Sequence, residues 1–369
     1  MSNTTLLGQE QTRMLSIDFF RGFTMFMLIG EFSGFFGTLN NPFFDGTIVS
    51  AIGHQLDHVE WIGLHFWDLI QPFFMFIVGV AMPFSMTKRW NRGDSWNITL
   101  RHAATRSLLL LVLGWALYCI GPGKITFRFT NVLAQLSVTY FIAFLLMRKA
   151  VKWQLGVSFL LIVVSQMLYL YWNVNGFNQP FTPDQNFGSW FDLALTGMPG
   201  GGHWVAFNAI PTTAHTIWGV ITGMILMNNW KPKRKIQTML IAGLVALVIG
   251  FSLSPFIPII KHICTASFVF VSGGWCLIAM AFCYWLIDVK NFNKYSLFFA
   301  IVGMNPLFIY LFAHTNGNNW IETIAKPFIN VIFGPLGELP AAMALSLTVW
   351  GGLWGICYFL YKRKVFIKL

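Results

Sequence analysis

The chain has 369 residues, of which 56% are hydrophobic, 17% aromatic and 10% charged, with a mean hydropathy of +0.62. A soluble domain carries roughly 25% charged residues, so these figures exclude a disordered chain, a nucleic-acid module and an ordinary cytosolic enzyme. The net charge of +11 therefore reads as basic loops beside a membrane.

At roughly 20 residues per crossing plus loops, the length predicts about ten transmembrane helices in one bundle. Continuous apolar runs place them near 17–36, 64–86, 104–121, 130–147, 153–172, 211–229, 236–255, 264–287, 295–314 and 341–361. The runs lack the two-residue alternation of barrel strands, so the fold class expected is an all-α membrane protein. Residues 1–16 form a polar amino-terminal segment, 17–361 a single transmembrane domain and 362–369 a basic tail. The first 16 residues carry no cleavage motif, and no signal peptide is expected. Five cysteines in or beside apolar runs give no disulfide framework and no metal signature.

Orientation follows from the cations. With both termini cytoplasmic, 20 of the 24 Lys and Arg fall in inner segments, and only Lys124, Arg128, Lys261 and Lys326 fall outside. Acidic residues divide the other way, which gives an inner face of +16 and an outer face of −5. Seven of the eight histidines also lie toward the outer end. The positive-inside rule does not act on neutral histidines, so a polar site at the outer ends of the helices is expected.

In chain order, Asp18 and Arg21 share one face at the inner start of the first helix, as a local ion pair or as an anion-binding mouth. Glu31 lies in the outer half of that helix, where an ionisable group is costly; it reads as a partner for an outer histidine or as a snorkelling interfacial glutamate. Residues 54–68 then crowd His54, His58 and His65 with Asp57, Glu60 and Asp68. His58 has the imidazole needed to take a proton near pH 7. Asp57 and Glu60 are local candidates to orient it or to meet a substrate, together with Trp61. Asp68 sits about one turn inside the second helix and calls for a polar cavity or a partner. Pro72 is expected to kink that helix. A zinc site from His54, Asp57 and His58 matches no ligand spacing, and no metal is expected. Further along, the glycine-rich loop 197–203, His215 with Thr212 and Thr213, and Asn305 with His314 are the remaining polar points. Gly30 to Gly34 is the small-residue stripe available to a homodimer.

Several of these residues carry a resemblance. The opening Arg13…Ser16-Ile17-Asp18-Phe19-Phe20-Arg21-Gly22, then His58…Trp61-Ile62-Gly63-Leu64…Asp68-Leu69…Pro72-Phe73…Phe76-Ile77…Gly79, resembles the transmembrane core of heparan-alpha-glucosaminide N-acetyltransferase and its bacterial relatives. Pro211-Thr212…Gly219…Gly223 and Gly303-Met304-Asn305…Tyr310 are similar to the same family. The resemblance implies a multi-pass acetyltransferase of a bacterial inner membrane. It would take acetyl-coenzyme A from the cytosol and place the acetyl group on an amino sugar or glycan at the other face. The family's active histidine matches His58, and a family asparagine falls at or near Glu31. Asn305 is a candidate to hold the oxyanion, and His215 and His314 to meet the acceptor. Arg21, Arg101 and Arg106, with Asp18 beside Arg21, are candidates for the coenzyme A phosphates at the +16 face. O-acetylation of a cell-envelope polysaccharide stays open. So does a sugar transporter in which Glu31 and Asp68 couple protons.

Overall fold

A computed structural model describes residues 14–367, so Arg13 and Lys368 of the inner cations lie outside the described residues, as does most of the amino-terminal segment. Among the described residues the chain is helical and contains no strand. In order it forms α1 (Leu15–Phe32), α2 (Phe35–Leu39), α3 (Ile48–Gln55), α4 (Ile70–Asn91), α5 (Trp96–Ile120), α6 (Val132–Leu146), α7 (Val151–Tyr171) and α8 (Phe187–Thr196). It continues with α9 (Ala209–Met227), α10 (Pro232–Leu253), α11 (Ala266–Cys283), α12 (Ser296–Met304), α13 (Pro306–His314), α14 (Gly317–Phe333) and α15 (Glu338–Lys362).

Every predicted apolar run folds as helix, but not every one meets the length and apolarity of a crossing. Seven helical stretches do, and an eighth if α12 and α13 count as one span; they meet at 68°. That break falls at Asn305–Pro306, because proline supplies no N–H to continue the ladder. α1 carries three charged residues in its 18, and α6 is only 15 residues long. α1 also stops sooner than predicted: Gly34 takes the left-handed conformation (φ 77°), which glycine adopts without steric cost. Pro72 does not kink its helix, because it lies in the first turn of α4, where an amide hydrogen would lack a partner in any case. The proline inside α4 is Pro83. The connections 37–63, 173–210 and 315–340 contain α3, α8 and α14, each too short or too polar to read as a span.

Two features hold the bundle around the site. At the end of the bundle where α1 begins, Asp288 accepts the backbone N–H groups of Leu15 and Ser16 at 3.1 and 3.2 Å, a carboxylate at the positive end of α1. In the centre, α4 and α9 approach so closely that a Cβ at Gly79 would run into the Thr216 carbonyl, and one at Gly219 into that of Phe76. Gly219 and Gly223 form a GxxxG pair whose partner is α4 of the same chain. Of the Gly30–Gly34 stripe, Gly30 is covered within the chain by Trp350 and Phe36, whereas Gly34 faces open space.

Candidate active site

His58 is carried on the 56–65 segment between α3 and α4, and Asp68 on the 3-10 turn Phe66–Leu69 that leads into α4. The turn fixes Asp68 locally, since its Oδ2 accepts the His65 N–H at 2.9 Å and the Val59 N–H at 3.5 Å. Its Oδ1 faces His58 Nδ1 at 3.1 Å and Lys261 Nζ at 3.3 Å. Lys261 Nζ is itself 3.1 Å from His58 Nδ1. With Nδ1–H donated to Asp68, both the imidazole and the ammonium direct a hydrogen at the same carboxylate, and Nε2 keeps its lone pair. Across the ring, Nε2 lies 3.7 Å from Glu31 Oε1, and Glu31 accepts Trp67 Nε1–H at 3.1 Å. The Asp68 and Lys261 side chains are 2% and 7% exposed, that of His58 40%. Two buried charges thus pin one face of an accessible imidazole.

His58 borders two spaces. The inner one, a cavity of about 310 Å³, runs from His58, Glu31, Trp204 and Lys261 down to Gln71, Gln135 and Thr24. A hydrogen bond joins the Gln71 and Gln135 side chains there. The outer one, about 400 Å³, is lined by His54, Asp57, Glu60 and His65. Asp57 does not touch the imidazole; it accepts the His58 backbone N–H at 2.8 Å and Asn40 Nδ2–H at 3.4 Å. Glu60 is exposed on the rim. Trp61 lies behind the site. It donates its indole N–H to Phe181 O at 2.7 Å and stacks at 5.3 Å on His262, which in turn packs on Trp204 at 4.2 Å. Burial, then the neighbouring Lys261 ammonium, pushes His262 down to about 4, so that ring is neutral. Burial likewise lowers Lys261, while Asp68 and then Glu31 oppose it.

Of the predicted residues, His58, Glu31 and Asp68 are brought together, and His314 lines the inner cavity beside Tyr310. Asn305 is not there. It is fully buried at the α12–α13 break, where its Nδ2–H goes to Val365 O at 3.0 Å and its Oδ1 accepts Ile367 N–H at 2.8 Å. Its job is to satisfy the backbone of the tail, so it is not positioned to hold an oxyanion in the cavity. His215 is also fully buried away from the cavity, 2.8 Å from Ser272 on α11, because its face of α9 turns into the core. Asp18 and Arg21 make the local pair at 2.9 Å. Arg106 lies over the Tyr140 ring and Arg101 is exposed on α5; neither lines the cavity of His58, nor does Arg21. Lys261, which contacts both His58 and Asp68, is the member of this cluster that the sequence reading did not single out. Its one signal was its rarity, as one of four cations on the predicted outer face.

Comparisons with known proteins bear on this geometry. A family profile described as "Domain of unknown function (DUF5009)" matches residues 13–191, which include His58, Glu31 and Asp68. The human heparan-alpha-glucosaminide N-acetyltransferase is 33% identical over 146 residues, 38% of this chain and 20% of that protein. The mouse protein of the same name is 39% identical over 92 residues, 23% of this chain and 14% of that protein. The chain is a distant relative of heparan-alpha-glucosaminide N-acetyltransferase. The matches span a fifth or less of the length of these curated relatives. With seven helices long and apolar enough to cross a bilayer, it is a multi-pass membrane protein.

Proposed function

We propose that this protein is a transmembrane acetyltransferase that moves an acetyl group from cytosolic acetyl-coenzyme A to the amine of a sugar on the opposite face. The observation that carries the reading is that His58, held from behind by Asp68, borders both an inner cavity and an outer cleft. The thioester enters the inner cavity from the basic face, with Arg21, Arg101 and Arg106 drawing its phosphates to the inner surface. The acceptor approaches from the cleft lined by Asp57 and Glu60, whose negative charge favours an amino sugar. In direct transfer, the acceptor nitrogen forms a bond to the thioester carbonyl carbon as the carbon–sulfur bond breaks. His58 Nε2 takes the amine proton and returns it to the coenzyme A sulfur. In the alternative course, Nε2 attacks the thioester carbonyl and the carbon–sulfur bond breaks to release coenzyme A thiolate; the acceptor amine then attacks the acetyl-histidine, its nitrogen–carbon bond forming as the bond to Nε2 breaks, and its proton passes to the thiolate. Glu31, 3.7 Å from Nε2, stands where the acceptor ammonium is to be held before it loses its proton.

The test is reconstituted protein supplied with radiolabelled acetyl-coenzyme A and glucosamine. Wild type forms N-acetylglucosamine, and folded His58→Ala does not. Labelled acetyl retained on wild-type protein but absent from His58→Ala separates the carrier course from direct transfer. Profiling amine against hydroxyl acceptors distinguishes N- from O-acetylation.

A further inference from the structure

His58 stands between two carboxylates, Asp68 at 3.1 Å and Glu31 at 3.7 Å. Two anions this close hold an imidazole as imidazolium, which has no lone pair with which to accept a proton or attack a thioester. The site therefore needs a compensating positive charge. The cations facing it come from one element, the 254–265 segment that joins α10 and α11. That segment supplies Lys261, while its neighbour His262 is neutral. The other titratable groups lining the two spaces that His58 borders are His54, Asp57, Glu60 and His65 on its own segment or the end of α3, Tyr118 on α5, and Tyr310 and His314 on α13; among the described contacts none bonds the imidazole.

The segment is built to hold that lysine inward. Ile260 and Ile263 are fully buried on either side of it. Cys264 takes a left-handed conformation (φ 49°), unusual for a residue with a Cβ. Around this turn Thr265 N–H bonds Ile260 O at 3.2 Å, and the Thr265 and Ser267 hydroxyls both donate to Pro258 O, at 2.8 and 3.0 Å. Asn208 Nδ2–H donates to His262 O at 3.3 Å, and Gly63 N–H to Ile259 O at 2.9 Å, which ties the turn to the segment carrying His58. A lysine buried with one carboxylate adds little stability by itself. A turn this constrained is better accounted for by the position of the charge it delivers.

We propose that Lys261 is the counter-charge that keeps the His58 imidazole neutral between Asp68 and Glu31, a positioning residue that acts through His58. The proposal gives the enzyme reading its active protonation state and rests on it for that purpose. With Lys261 present and His58 neutral, the four-residue cluster carries −1. Without the lysine it would carry −2, and His58 takes up a proton instead.

The experiment measures how fast diethyl pyrocarbonate modifies His58 as a function of pH in the full chain in nanodiscs, scored by mass spectrometry of the peptide that carries His58. The reagent reacts only with neutral imidazole, so the midpoint of the curve reports the protonation of His58 without requiring turnover. Lys261→Met should raise the midpoint by one unit or more, Lys261→Arg should leave it near wild type, and Lys261→Met with Glu31→Gln should bring it back down. Glu31→Gln alone should lower it, which keeps the test open should Lys261→Met fail to fold. A midpoint unmoved by Lys261→Met, or by Glu31→Gln where the first variant does not fold, overturns the proposal. If the midpoints move as stated but His58→Ala still transfers acetyl groups, the electrostatic assignment stands and the catalytic one fails.

Discussion

Asp68 offers the sharpest test of how the site is held. Its buried carboxylate accepts from His58, Lys261, His65 and Val59. Asp68→Asn removes the charge and turns one acceptor atom into a donor, which must then face other donors whichever way the amide is oriented. Lys261, 7% exposed, keeps its ammonium with no adjacent carboxylate. Removing one partner of a buried pair costs about 3–5 kcal/mol. At a few degrees per kcal/mol for a chain of this size, the melting midpoint should fall by roughly 5–15 °C. Transfer should fall at least a hundredfold, since the imidazole loses the group that fixes its tautomer. The matched control is Asp57→Asn, whose carboxylate is solvent-exposed and bonds only the His58 backbone N–H and Asn40 among the contacts described; it should shift the midpoint by no more than about 2 °C. Intrinsic fluorescence in detergent follows unfolding. If Asp68→Asn is no less stable than Asp57→Asn, the buried carboxylate does not anchor the site as described.

Three other outcomes are expected. Gly79→Val should prevent α4 and α9 from closing and give aggregated protein on size exclusion, whereas Gly156→Ala, where the added Cβ meets open space, should elute as wild type. Asn305→Ala should expose the tail at Lys362–Lys364 to faster tryptic cleavage, while acetyl transfer stays within a few-fold of wild type; a hundredfold loss of transfer would return Asn305 to the site. Burial raises Asp192 to about 7 against a partial opposing effect of the Ala206 N–H, so between about pH 4 and 7 the folded chain holds a proton that the unfolded chain has lost. Stability from this group is full below about pH 4 and is lost as pH rises through 7. Asp192→Asn should remove that loss, and its melting midpoint should gain on wild type steadily across the window; a difference independent of pH contradicts the assignment.

What the sequence made legible follows from what membranes forbid. Glu31 and Asp68 stand out because a carboxylate in an apolar run requires a reason, and His58 because it shares one short segment with Asp68. The apolar runs were legible as helix for the same reason, though only seven or eight meet the length and apolarity of a crossing, and α3, α8 and α14 fell in stretches read as connections. Lys261 was not legible: it meets His58 across 203 positions, and a single lysine in a short outer loop looks like any loop charge. Asn305 and His215 were misplaced because sequence gives a residue's depth along a helix but not the face it presents. One turns to the tail and the other to Ser272. Trp61 was placed in the correct neighbourhood but one layer too close, since the indoles lining the cavity are those of Trp67 and Trp204.

The account's central claim is that the His58 imidazole meets a thioester inside this bundle. Purified protein in nanodiscs, incubated with radiolabelled acetyl-coenzyme A and glucosamine, tests it most directly. The account predicts labelled N-acetylglucosamine from wild type and none above background from a His58→Ala variant with an unchanged melting midpoint. Undiminished product from that variant would contradict it.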